Sequence, residues 1–250
     1  MLIVLKFGGS SLANTMRIYA AAEKIAAELQ NGHQVVAVVS AQGDTTDFLL
    51  EKAHSITENP DLRELDACLS TGEQVSAAMM AMALQDMGYP AISLTGWQAG
   101  ILTDGDFGAA HVIGLSSDRI SKLLQQGKAV IVTGFQGISP DMDITTLGRG
   151  GSDTTAVALA AFLQADLCRI YTDVDGVYDK DPRKCPDAIK FDQIGYQQML
   201  ALAQSGAQVL HDRCVEMAMQ HKVCIQVLSS VRPGMGTFVT DTPVHDARTN

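Results

Sequence analysis

Leu2-Ile3-Val4-Leu5-Lys6-Phe7-Gly8-Gly9-Ser10-Ser11 opens the chain with a buried-strand pattern that runs straight into paired glycines. The run 2–7 is apolar apart from Lys6, as in a strand covered on both faces. Downstream, residues 13–30 place Ile18, Ala22, Ile25 and Leu29 at helical spacing, and Asn31-Gly32 supplies a C-cap signal. Val35 to Val39 is a second buried strand. A helix between two strands requires a crossover, so the pair is expected to be parallel.

The same alternation continues along the chain. Residues 44–56 and 61–87 read as helices, with Asp44 and Asp61 as N-caps, and 91–94 as a short strand. A helix over 117–126, a strand over 129–133 and a turn-rich hairpin over 136–147 follow. An alanine-rich helix over 153–164 leads to a strand over 167–172. Helices over 195–204 and 207–221 and a strand over 223–228 close the pattern, and 241–250 is a polar tail. This order predicts an α/β fold with a mainly parallel sheet covered on both faces, its ligands beyond the carboxyl ends of the strands.

Composition narrows the function classes. The 250 residues are 46% hydrophobic and 18% charged, enough for one α/β domain or two small ones. No apolar stretch approaches the roughly 18–20 residues of a membrane span. The net charge of −10 argues against nucleic acid or an anionic membrane as partner. Five scattered cysteines without CxxC spacing indicate neither a disulfide framework nor a zinc site, and point to a reducing cytoplasm. Six histidines without HxH or HExxH spacing make a histidine-built metal site unexpected.

Two glycine turns carry the chemistry. KFGGSS (6–11) places Lys6 beside Gly8 and Gly9, and TTLGRGGSDTTA (145–156) places Arg149 beside Gly150 and Gly151. Glycines between a strand and a helix let backbone N–H groups approach an anion, aided by the helix N-terminus. Two such turns, each with a basic residue, suit a site that handles several negative charges, as phosphoryl transfer requires. Ser152 or Asp153 can serve as N-cap of the following helix as well as in catalysis. Glu73, in STGE (70–73), fits either a first-turn acid favoured by the helix dipole or a receiver of a substrate ammonium, and the residues alone favour the former. Met79, Met80 and Met82 read as core filling. The loop TDVDGVYDKDPR (172–183) is a solvated acidic loop by default, and its place after a strand also suits nucleotide recognition. No Walker loop and no protein-kinase motif set occurs.

Taken together, VLKFGGSSL (4–12), VVSAQGDTTD (38–47), STGE (70–73), GFQG (134–137), TTLGRGGSDTTA (145–156), TDVDGVYDKDPR (172–183) and GAQVLHDRCVE (206–216) resemble the amino-acid kinase family, specifically its aspartokinase catalytic domains. The resemblance covers residues 2 to about 240 and implies a three-layer α/β/α sandwich. One catalytic unit would span 1–240, with the part before about 150 mainly binding the amino acid and the later part mainly binding ATP. The implied reaction moves the ATP γ-phosphoryl to the β-carboxylate of L-aspartate. By motif, Lys6 and Asp153 are implied as catalytic, and Gly8, Gly9, Ser10, Ser152, Thr172, Asp173, Tyr178, Arg183 and Gln208 as nucleotide-binding. Ser40, Thr46, Glu73, Phe135 and Arg149 would hold aspartate. Mg2+ would arrive on the nucleotide, with no protein metal site.

Two departures stand out. The family motif GAKVLHP has Gln208 and Asp212 here in place of its lysine and proline, and a lost charge-assisted contact weakens ATP or transition-state binding by roughly 1.5–3 kcal/mol. The sequence also stops soon after Gly236-Thr237-Phe238-Val239, where ACT regulatory domains usually begin in these enzymes. Insensitivity to lysine and threonine is expected unless a separate ACT-domain partner exists, and a homodimer is expected from the family's habit. A sibling kinase with another acceptor, or a non-catalytic nucleotide-binding subunit, are the alternatives.

Overall fold

The apolar runs become the centre of the molecule. The computed structural model describes residues 1–182, 184–205 and 209–242. Strand β1 (Leu2–Phe7) pairs in parallel with β2 (Gln34–Val39), and helix α1 (Thr15–Gln30) crosses between them. The chain continues through α2 (Thr45–Ile56), α3 (Leu62–Leu69), α4 (Thr71–Asp86), β3 (Ala91–Leu94), β4 (Ile101–Thr103), β5 (Val112–Leu115), α5 (Asp118–Gln125) and β6 (Ala129–Thr133). Next come β7 (Gln136–Ile138), β8 (Ile144–Thr146), α6 (Gly151–Phe162), β9 (Leu167–Thr172), β10 (Gln193–Ile194), α7 (Tyr196–Gln204), α8 (Asp212–His221), β11 (Ile225–Ser229) and β12 (Thr237–Val239).

Among the described residues, eight strands form one sheet in the order β10-β12-β11-β9-β1-β2-β6-β3. Only the β11–β12 pair in it is antiparallel. The two-residue period of a strand sends Ile3, Leu5 and Phe7 of β1 to one face and Val4 to the other. The first face packs on α1 and α4, the second on α5, α6, α7 and α8. Both faces are therefore core, which is why β1 and β2 read as nearly continuous apolar runs, interrupted in β1 only by Lys6. The result is the expected three-layer α/β/α sandwich. A second sheet, β5-β4-β7-β8, contains the expected hairpin as β7 and β8.

Several local expectations are corrected. A short 3-10 helix (Gly9–Leu12) intervenes after β1, and α1 starts only at Thr15, capped by Asn14 accepting from the Arg17 N–H. The helix expected over 61–87 is two helices broken at Ser70. There the Gln136 side-chain amide donates to the Ser70 carbonyl at 2.8 Å, while the Ser70 and Thr71 hydroxyls donate back to Ala67 and Cys68. Side chains that bond to local backbone in this way compete with the helical ladder. Asp61 caps α3 through the N–H groups of Arg63 and Glu64, whereas Asp44 precedes α2 without a side-chain cap bond. Helix α6 is capped by Gly150, not by Ser152 or Asp153, which lie in its first turn. Met80 is core, but Met82 faces solvent. Strands β4, β5, β10 and β12 were not legible in the pattern, being two to four residues long. Among the described residues no helix is long and apolar enough to cross a membrane.

Candidate active site

Parallel strands bring their carboxyl ends to one edge of the sheet, and that edge gathers most of the expected residues. Lys6 sits on β1 in the register facing α6, and Asp153 rises from the first turn of α6 to meet it. Lys6 Nζ lies 2.6 Å from Asp153 Oδ1, both side chains about one-tenth exposed. At that distance the two form a close, buried ion pair of the charge-assisted kind.

Gly8 and Gly9 follow, and the second of these has a steric reason. A Cβ on Gly9 would stand 2.7 Å from the Ala41 carbonyl oxygen, which fixed backbone cannot relieve. The Gly43 N–H also donates to the Gly9 carbonyl at 3.1 Å. The turns after β1 and β2 therefore interlock. Ser10 stands exposed beside them, Ser40 follows β2 with its N–H on the Phe7 carbonyl, and Thr46 lies in the first turn of α2.

Glu73 is the most constrained charge in the site. It is 3% exposed, its Oε1 accepts the Ala41 N–H at 3.0 Å, and its Oε2 is buried with no hydrogen-bond partner among the described residues. Burial raises its pKa to about 7, against the opposing pull of the Ala41 hydrogen bond. A helix-dipole role needs neither the burial nor the unpartnered oxygen. Such an arrangement is chemically able to receive a cation.

Arg149 projects from the turn between β8 and α6. Gly150 beside it has φ +72°, the left-handed conformation that glycine tolerates. Arg149 is exposed and makes no ion pair with a described residue. Phe135 also has a positive φ, +71°, unusual for a bulky side chain. It is held there by its N–H on Thr155 Oγ1 (3.1 Å) and by the Leu147 N–H on its carbonyl (2.8 Å). Strain of this kind persists only where the surroundings over-determine it. Ser152 is buried against Gly134, where an added Cβ would lie 2.6 Å from the Ser152 hydroxyl oxygen.

On the other side, Thr172 ends β9 and its carbonyl accepts the Ser230 N–H at 2.8 Å. Its hydroxyl donates to Asp173 at 3.1 Å. The Tyr178 hydroxyl donates to Asp175 at 3.0 Å, and burial followed by that carboxylate raises its pKa. Arg183 and Gln208 lie outside the described residues. Among the described residues no group of three or more His, Cys, Asp or Glu side chains could hold a metal ion.

Sequence reasoning missed several supports. Asp66, 1% exposed, accepts the Thr146 hydroxyl (2.6 Å), the Thr146 N–H (2.8 Å) and the Gly108 N–H (2.9 Å). It fixes β8, which leads into the Arg149 turn. Gln136, fully buried, ties Ser70 to the second sheet. The only available signal was a polar residue inside an apolar helical or strand pattern.

A family model described as "Amino acid kinase family" matches residues 1–229. The chain belongs to the amino acid kinase family. Aspartokinase 2 of Bacillus subtilis (strain 168) is 51% identical over 240 residues, covering 96% of this chain and 59% of that protein. The chain thus spans about three-fifths of that curated relative's length. The crystal structure of aspartate kinase from Synechocystis superposes with a TM-score of 0.87 at 46% identity, covering 98% of this chain and 40% of that one. Escherichia coli aspartokinase III, solved in complex with aspartate and ADP, also gives 0.87, at 26% identity, covering 98% of this chain and 65% of that one. Within the amino acid kinase family, then, this chain is similar to the portion of the aspartokinases that carries the kinase fold.

Proposed function

We propose that this amino acid kinase transfers the γ-phosphoryl group of ATP to the β-carboxylate of L-aspartate, giving 4-phospho-L-aspartate. The observation that carries the reading is Glu73: a buried carboxylate with one oxygen unpartnered, at the edge where Lys6 and Arg149 also lie. An amino-acid acceptor supplies the missing ammonium, and its carboxylate suits the Arg149 fork. The aspartokinase names of its relatives agree with that acceptor.

The chemistry needs little from the protein beyond alignment and charge. A carboxylate oxygen of the acceptor forms the new bond to phosphorus, the bridging bond to ADP breaks, and ADP leaves with the electron pair. A carboxylate is already nucleophilic, so no proton has to move. Lys6 neutralises charge on the transferring group, and Asp153 holds the lysine in place beside it. Gly8, Gly9 and Ser10 supply backbone close to the phosphates, and Ser152 closes the α6 side. Ser40, Thr46 and Phe135 complete the acceptor pocket. Thr172, Asp173, Tyr178, Arg183 and Gln208 hold the nucleotide, with Mg2+ riding on its phosphates. The part before about residue 150 serves the amino acid and the later part the nucleotide. A cytoplasmic homodimer, with or without a separate ACT-domain partner, is the working assembly.

The test is ATP-dependent hydroxamate formation with aspartate and a panel of other acceptors, with Lys6→Ala as control. Aspartate-dependent signal that falls at least about a hundredfold in the variant is expected. Signal with a different carboxylate alone, or full activity in Lys6→Ala, refutes the assignment.

A further inference from the structure

A cavity of about 50 Å³ opens near the strand ends on the α1 side of the sheet, on the opposite face of β1 from Lys6. Phe7, Ser11, Arg17, Lys24, Ser230 and Val231 line it, and among the described residues no acidic side chain does. Arg17 and Lys24 are two helical turns apart on α1, so they present their charges from one face. Neither makes an ion pair with a described residue, in a chain whose net charge is −10. Lys24 Nζ stands 5.8 Å from the centre of the Tyr171 ring, which stacks on Phe7 at 4.9 Å. Arg17 donates to the Ser10 carbonyl. Ser11 is 5% exposed, and its hydroxyl is buried without a hydrogen-bond partner among the described residues. Two cations without a carboxylate partner among the described residues, and an unsatisfied hydroxyl in the wall of a cavity of this size, describe a small oxyanion site.

We propose that this cavity binds a phosphate group, either as the free anion or as the end of a small phosphomonoester. Two cations match a dianion better than a single carboxylate, and a tetrahedral oxyanion has lone pairs to spare for the Ser11 hydroxyl. The site is separate from the phosphate cradle at Gly8–Ser10, but Arg17 links the two through the Ser10 carbonyl. An occupant that draws Arg17 toward itself loosens that link. On the kinase reading, occupancy would then alter how the cradle meets ATP.

The experiment is an amide NMR titration of the 250-residue chain with inorganic phosphate and, in a separate arm, with glycerol 1-phosphate. Saturable shifts at Ser11, Lys24 and Val231 are expected, weakened at least about tenfold in Arg17→Gln and in Lys24→Ala. Ser11→Ala, which breaks no existing hydrogen bond, should fold normally and also bind more weakly. Binding of both ligands identifies a site for a terminal phosphate, and binding of inorganic phosphate alone a site for the free anion. Shifts confined to Gly8–Ser10 and Arg149, or binding equal in wild type and variants, or a non-saturating response, overturns the proposal.

Discussion

Replacing Glu73 by glutamine should make the protein more stable and a worse enzyme. The Glu73 pKa rises from an ordinary 4.5 to about 7 because the carboxylate is buried. Its folded pKa lies above its unfolded one, so the native state holds the proton more tightly. The associated stability is fully present below about pH 4.5 and is lost as pH rises through about 7. At roughly 1.36 kcal/mol per pKa unit, the ionised form costs about 3 kcal/mol of folding free energy at pH 8. Glutamine keeps an oxygen for the Ala41 N–H and removes the charge, at the expense of a new unpartnered amide. A net gain of about 2 kcal/mol at pH 8 follows. Binding moves the other way. Loss of a charge-assisted contact to the substrate ammonium, worth about 1.5–3 kcal/mol, raises the aspartate KM roughly 10- to 150-fold. In the wild type the aspartate KM should climb about tenfold per pH unit below 7, as Glu73 takes up its proton, and Glu73→Gln should flatten that limb. Urea unfolding at pH 6 and pH 8, paired with hydroxamate kinetics across the same range, reads both effects. A variant that is less stable than wild type at pH 8, or that keeps the wild-type aspartate KM, refutes the reasoning.

Further outcomes test the scaffold and the acceptor clamp. Gly134→Ala should lose about 1–3 kcal/mol in urea unfolding, because its methyl would meet Ser152 at the start of α6. Asp66→Asn turns one acceptor oxygen into a donor facing Thr146 or Gly108, and should cost about 2–3 kcal/mol in thermal or urea unfolding while raising the aspartate KM. Arg149→Lys keeps the charge but not the planar fork, so the aspartate KM should rise about tenfold with the ATP KM little changed.

The central sheet was legible because its residues answer to one demand, burial on both faces, which writes itself as apolar runs such as Val35 to Val39. The short strands of the second sheet answer to tertiary demands instead. Val112–Leu115 carries a glycine and only partial burial, so its pattern is weak. The break at Ser70 depends on Gln136, a residue 66 positions away, which no local window contains. At the site, Lys6, Glu73 and Arg149 were identifiable by motif, yet the character of Glu73 was not. Its unpartnered oxygen and raised pKa arise from packing around α4, and sequence reading by itself preferred the helix dipole. Gly150 capping α6 in place of Ser152 or Asp153 has the same origin, since those side chains are turned inward toward Gly134 and Lys6.

Ala41 touches both halves of the proposed chemistry through its own backbone. Its N–H holds Glu73, its carbonyl oxygen bars any side chain at Gly9, and its methyl would lie 2.9 Å from a Cβ on Gly72. One residue, through the two peptide units it joins, thus sets the spacing between the carboxylate proposed to receive the amino acid and the turn proposed to face the phosphates. Changing side chains in the pocket can alter which acceptor fits, but not how far its ammonium sits from the phosphoryl donor. A descendant adapted to a longer acceptor would have to move the backbone on both sides of Ala41, and positions 9, 41 and 72 would have to change together.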